Sequence, residues 1–118
     1  MALPQITAIG NLTFEPEFQV TQSGIGRTRL RLACNERKKV DGEWTDGETT
    51  FIDVTLWRGL AESAAELHKG QAVMVTGKLR VRQYEDKNGN KGTSVEIDAT
   101  DVATILAKPA KQQSDDLW

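Results

Sequence analysis

Histidine and cysteine are nearly absent from this 118-residue chain, which has one of each, His68 and Cys34. Two such residues cannot complete a zinc site built from His and Cys, and no internal disulfide can form. No Gly-x-Ser-x-Gly elbow, Walker-type Gly-Lys-Ser/Thr loop or paired-His motif occurs, so the common nucleophilic, phosphate-cradling and metallohydrolase chemistries lack their residues. No enzyme activity, cofactor or metal is expected. Apolar runs approaching the ~20 residues of a membrane span are also missing, as is a cationic lead into an apolar stretch near Met1. A cytoplasmic protein without membrane association is the expectation. Nor is there an excess of positive charge, since 15 Lys+Arg stand against 17 Asp+Glu for a net charge of −2. Bulk charge therefore advertises no polyanionic partner, and such a partner has to be argued from where individual charges sit.

What is present reads as one domain, because 118 residues suffice for a single hydrophobic core and no internal repeat is visible. From Gln5 to about Ala107 short strand-like segments alternate with turn signals at 22–26, Asp41-Gly42, Asp46-Gly47 and 88–90. Gly, Asn and Asp tolerate the positive φ angles of hairpin turns, which gives these assignments a mechanism. One helical interruption is expected from Gly59 to Lys69, where Leu60, Ala64 and Leu67 recur at i, i+4 and i+7 and Gly70 supplies a stop. Strands on both sides of a short helix are compatible with an all-β, five-stranded barrel of the OB type, the helix lying between the third and fourth strands. The pattern alone allows other topologies. Residues 1–107 form the expected domain, and residues 108–118 read as a short flexible tail with an acidic tip.

Strand parity locates the chemistry, because alternate side chains point to opposite faces of a sheet. Between Phe51 and Trp57, the residues Ile52, Val54 and Leu56 form a core phase, which leaves Phe51, Asp53, Thr55 and Trp57 outside. In a later segment Val73, Val75, Leu79 and Val81 are the expected core set, with Lys78, Arg80, Arg82 and Tyr84 outside. An earlier one places Leu30, Leu32 and Cys34 inside and Arg27, Arg29 and Arg31 outside, and the charge continues through Arg37, Lys38 and Lys39. Cys34 is expected as a small structural thiol. Trp44 falls in an expected loop from Lys38 to Glu48, where it could anchor the loop or meet a base.

Cations that track a phosphate backbone, beside flat rings on which bases stack, are what a binder of single-stranded nucleic acid needs. Each stacked base is worth about 1–3 kcal/mol with little sequence preference. The acidic residues fall instead on Glu62 and Glu66 of the helix, on Glu96, Asp98 and Asp101 near the last strand, and in the tail. Segregation of the two signs is therefore expected. An RNA-binding barrel, or an interaction adaptor whose exposed rings form an interface, would share many of these features.

Three motifs sharpen the reading: Ile9-Gly10-Asn11-Leu12 with Pro16-Glu17, the run from Thr50 through Trp57, and the run from Gly77 through Tyr84. In order and spacing they resemble the bacterial single-stranded DNA-binding protein family, phage-borne members included, over about Ile6 to Ile105. The resemblance implies an OB fold assembled as a homotetramer, with single-stranded DNA wrapped over the strand faces. It implies stacking on Phe51, Trp57 and Tyr84, and puts Arg37 where relatives often carry an aromatic, a missing ring for which Trp44 could partly compensate. The phosphate contacts expected from the outward cations and the basic run that follows them are Arg27, Arg29, Arg31, Arg37, Lys38, Lys78, Arg80 and Arg82. Asp115-Asp116-Leu117-Trp118 is similar in kind to the acidic tip with which family members recruit replication and repair proteins. It lacks the usual proline and follows a short linker.

Overall fold

The computed structural model of the protein describes residues 3–106. Within them the chain forms β1 (Gln5–Leu12), β2 (Glu17–Val20), β3 (Gly26–Val40), β4 (Glu43–Trp57), α1 (Arg58–Ala64), β5 (Ala72–Glu85) and β6 (Lys91–Thr104). The tail from 108, with Asp115, Asp116, Leu117 and Trp118, lies outside the described residues.

Strand order is β1-β5-β6-β4-β3-β2, and a further β1–β3 pairing closes the five long strands into a barrel-like ring of the OB type. The closure is short, through Asn11 opposite Ala33 and Leu12 opposite Leu32. All neighbours run antiparallel except β4 and β6, which pair in parallel. Among the long strands the helix sits between the third and fourth, as expected. The four-residue β2 is an addition that the sequence reading did not include, and it pairs with the start of β3 outside the ring.

The period-2 pattern explains the interior. Leu30, Leu32, Ile52, Val54, Leu56, Val73, Val75 and Ile97 are buried together with Ala8 and Leu12. Thr28, the buried polar side chain among the described residues, donates its hydroxyl to the Ala61 carbonyl at 2.6 Å and so ties β3 to α1. Ala61 and Ala64 are the small residues that let the helix close against the ring. Cys34 packs half-buried against this core, and its burial pushes the thiol pKa up. An unreactive, structural thiol follows from that placement.

Four expectations need correction. The helix ends at Ala64 rather than Lys69, because the bonds from Glu66 N to Ser63 O and Leu67 N to Ala64 O tighten the chain into turns. Gly70, at φ 88°, then reverses it, its amide donating to Leu12 O at 2.8 Å. His68 therefore lies past the helix, 4.0 Å from a Glu15 carboxylate oxygen. Val81 is 55% exposed and Leu79 only half-buried, since the β5–β6 hairpin outruns the ring and its tip has no opposite wall. Residues 38–48 are not a loop. They continue β3 and β4 as a projecting hairpin arm that turns only at Asp41 (φ 52°) and Gly42 (φ 83°). Finally, Asp46-Gly47 is no turn: pairing steps from Asn35–Thr49 to Arg37–Asp46, so β4 holds an extra residue there, a β-bulge.

Candidate nucleic-acid interface

Cross-strand partners share a face, so the registers assemble the outward phases of four adjacent strands into one surface. Across β3, β4, β6 and β5, one row runs Arg29, Thr55, Asp98, Lys78 and the next Arg31, Asp53, Glu96, Arg80. Flanking pairs are Arg27 with Trp57, Ala33 with Phe51, Arg82 with Ser94 and Tyr84 with Gly92. Cations thus occupy the two outer columns, on β3 and β5. Rings and carboxylates fill much of the space between.

The three rings expected on this face are there and in contact with water: Phe51 is 49%, Trp57 40% and Tyr84 55% exposed. Phe51 and Tyr84, with Arg31 and Asp53, line one open cleft of about 380 Å³, while Trp57 shares a second of about 230 Å³ with Arg80, Arg82 and Glu96. The Arg31 guanidinium lies 4.7 Å from the Phe51 ring centroid, a cation–π contact. Tyr84 covers Gly92, where any side chain would collide with the phenol ring. Its hairpin is held by Asp86, whose carboxylate accepts the Asn90 and Asn88 backbone amides at 2.8 and 2.9 Å. The Asn90 bond foremost lowers the Asp86 pKa.

The expected cations divide. Arg29, Lys78, Arg80 and Arg82 are exposed on the face, as is Arg31. Arg27 is half-buried beside Trp57 and donates to Gln19 Oε1 at 3.0 Å. Arg37 and Lys38 belong to the hairpin arm, and each has an acid nearby, Asp46 at 3.5 Å and Glu36 at 3.7 Å. Lys38, opposite Thr45, alternates away from Arg37 and so points to the other side of the arm. Trp44 was out of phase with Phe51 by simple counting, but the bulge on β4 restores it to the same face, opposite Lys39. It is 62% exposed.

Charge segregation is a further expectation that the structure overturns. Because β6 pairs with both β4 and β5, Glu96 and Asp98 stand in the middle of the cationic face next to Asp53. Arg31 Nε is 3.8 Å from Asp53 Oδ1, and Arg82 Nε 3.4 Å from Glu96 Oε2. Parity within β6 would have put Glu96 and Asp98 on one face, but not on this one. Among the described residues no group of three or more His, Cys, Asp or Glu is placed to hold a metal ion. No helix there is long and apolar enough to cross a membrane.

The sequence matches the family model described as "Single-strand binding protein family" over residues 3–105. The chain belongs to the single-strand binding protein family. Single-stranded DNA-binding proteins of Paenarthrobacter aurescens and Streptomyces coelicolor are 41% and 40% identical over 104 residues, 86% of this chain. The chain spans 61% and 52% of their lengths, so about half to three fifths of the curated relatives it matches. A crystal structure of a small single-stranded DNA-binding protein from Streptomyces coelicolor superposes with a TM-score of 0.82 at 37% identity. It covers 91% of this chain and 98% of that one, so the family likeness includes the whole ring of strands.

Proposed function

We propose that this protein is a non-enzymatic binder of single-stranded DNA with little sequence preference, serving replication, recombination and repair. Bases stack on Phe51, Trp57 and Tyr84, with Trp44 reaching further bases from the arm. Arg29, Arg31, Lys78, Arg80 and Arg82 contact phosphates along the outer columns, with Arg27 beside Trp57 and Arg37 on the arm contributing at their edges. Family membership points to a homotetramer and to recruitment of partner proteins by Asp115, Asp116, Leu117 and Trp118.

The observation that carries this reading is the meeting of three half-exposed rings and two columns of cations on one four-strand face. Rings left half in water are unfavourable unless something covers them, and unpaired bases are flat, apolar on their faces and attached to phosphates.

Titration with oligo-dT is the test, read by tryptophan fluorescence at two salt concentrations, with duplex of equal length as control. Strong quenching by oligo-dT, little response to duplex and unchanged DNA affinity after deletion of residues 115–118 are expected. Absence of any response to oligo-dT at low salt would overturn the proposal.

A further inference from the structure

The carboxylates in the middle of the face have no part in holding a polyanion, and their placement calls for a role. Asp53 and Glu96 are register partners on parallel strands, and Asp98 follows two residues on, beside Thr55. All three are half-buried, while Arg29, Arg31, Lys78, Arg80 and Arg82 around them are exposed. Each of the two ion pairs joins an outer column to the centre, Arg31 to Asp53 and Arg82 to Glu96. Of Arg29, Arg31, Lys78, Arg80 and Arg82, Arg31 and Arg82 are the ones with a carboxylate within 4.0 Å among the described residues.

From this geometry we infer that Asp53, Glu96 and Asp98 discriminate against double-stranded DNA. The inference rests on the single-strand reading above and adds residues to it. A duplex approaching a flat face offers phosphates alone, because its bases are stacked and paired inside. It must bring its own charge close to Asp53, Glu96 and Asp98 in the middle of the face. A single strand keeps its phosphates over the outer columns and lays bases across the centre, where Phe51 and Trp57 repay it through stacking. The carboxylates sit under uncharged bases in that arrangement and repel nothing. Selectivity built from repulsion of the wrong partner needs charge placed where only that partner puts charge. The central columns meet that condition.

The experiment compares wild type with D53N/E96Q, isosteric changes that keep oxygen and nitrogen atoms near the arginines while removing the charge. A second variant, E62Q/E66Q, removes the same charge from exposed positions at and just past the helix, outside the face. Kd is measured for oligo-dT and for duplex of equal length, and thermal melting confirms folding. For D53N/E96Q the duplex affinity is expected to rise about 10-fold or more and the oligo-dT affinity by a few-fold at most. The duplex salt slope steepens by about 0.9 for each arginine that gains a phosphate. E62Q/E66Q is expected to leave the ratio of the two affinities near its wild-type value.

An unchanged ratio in D53N/E96Q, or an equal rise in E62Q/E66Q, overturns the inference. Weaker binding of both DNAs by D53N/E96Q also overturns it, since the acids would then be holding the arginines in position for phosphate. If wild type binds oligo-dT while the ratio stays fixed, only this inference fails. If wild type binds no oligo-dT, the single-strand reading fails as well.

Discussion

Replacing Phe51 by alanine separates a stacking ring from a structural one. The ring is 49% exposed, so truncation gives up about half of the 1.5–3 kcal/mol that full burial of such a side chain contributes, about 1 kcal/mol. Loss of the Arg31 cation–π contact adds about 0.5–1 kcal/mol at a site this wet. The expected total, about 1.5–2 kcal/mol of stability, leaves a folded protein. For DNA the expected loss is one stacked base, about 1–3 kcal/mol, or about 5- to 150-fold in Kd. F51L sharpens the contrast, because it keeps apolar volume without a π face. Its stability should stay within about 1.5 kcal/mol of wild type while most of the affinity loss persists. Both variants retain tryptophan, so fluorescence titration with oligo-dT measures Kd and urea denaturation measures stability on the same samples. A folded F51A whose Kd lies within twofold of wild type would refute the stacking role. A stability loss above about 4 kcal/mol would show instead that Phe51 belongs to the core.

Two further outcomes test the scaffold that holds the face. T28V removes the buried hydroxyl bonded to Ala61 O, but that carbonyl still accepts the Ala65 amide at 3.1 Å, so the cost is about 1 kcal/mol. An unchanged urea midpoint would show that the hydroxyl does not link β3 to α1. G77A places a Cβ against the Asp98 carbonyl and 2.7 Å from Ala99 Cα, forcing β5 and β6 apart at a cost of about 3 kcal/mol or more. Thermal melting checks this, and a midpoint equal to that of wild type would contradict the close approach of the two strands.

Local rules made much of the site legible. Phe51 and Trp57 could be placed outside because Ile52, Val54 and Leu56 between them had to be inside, and the same logic held for Arg29, Arg31, Arg80 and Tyr84. Asp41-Gly42 was readable as a turn because both residues accept positive φ. Asp46-Gly47 has the same chemistry, yet it became a bulge, because the cross-strand pairing of the arm carries on through it. That single extra residue moved Trp44 from the wrong phase to the right one. Val81 kept the core phase but left the core, since burial depends on whether anything stands opposite.

The sequence by itself determined which side chains share a face within each uninterrupted run of strand, because the pleat repeats every two residues and needs no distant contact. Only the tertiary structure decided which strands lie side by side. The parallel pairing of β4 with β6 brings together segments about forty residues apart, and nothing in the alternation of either segment encodes it. That pairing carried Glu96 and Asp98 into the middle of the cationic face. A pattern that looked like separated charge became, in the folded ring, a face with carboxylates between two columns of cations.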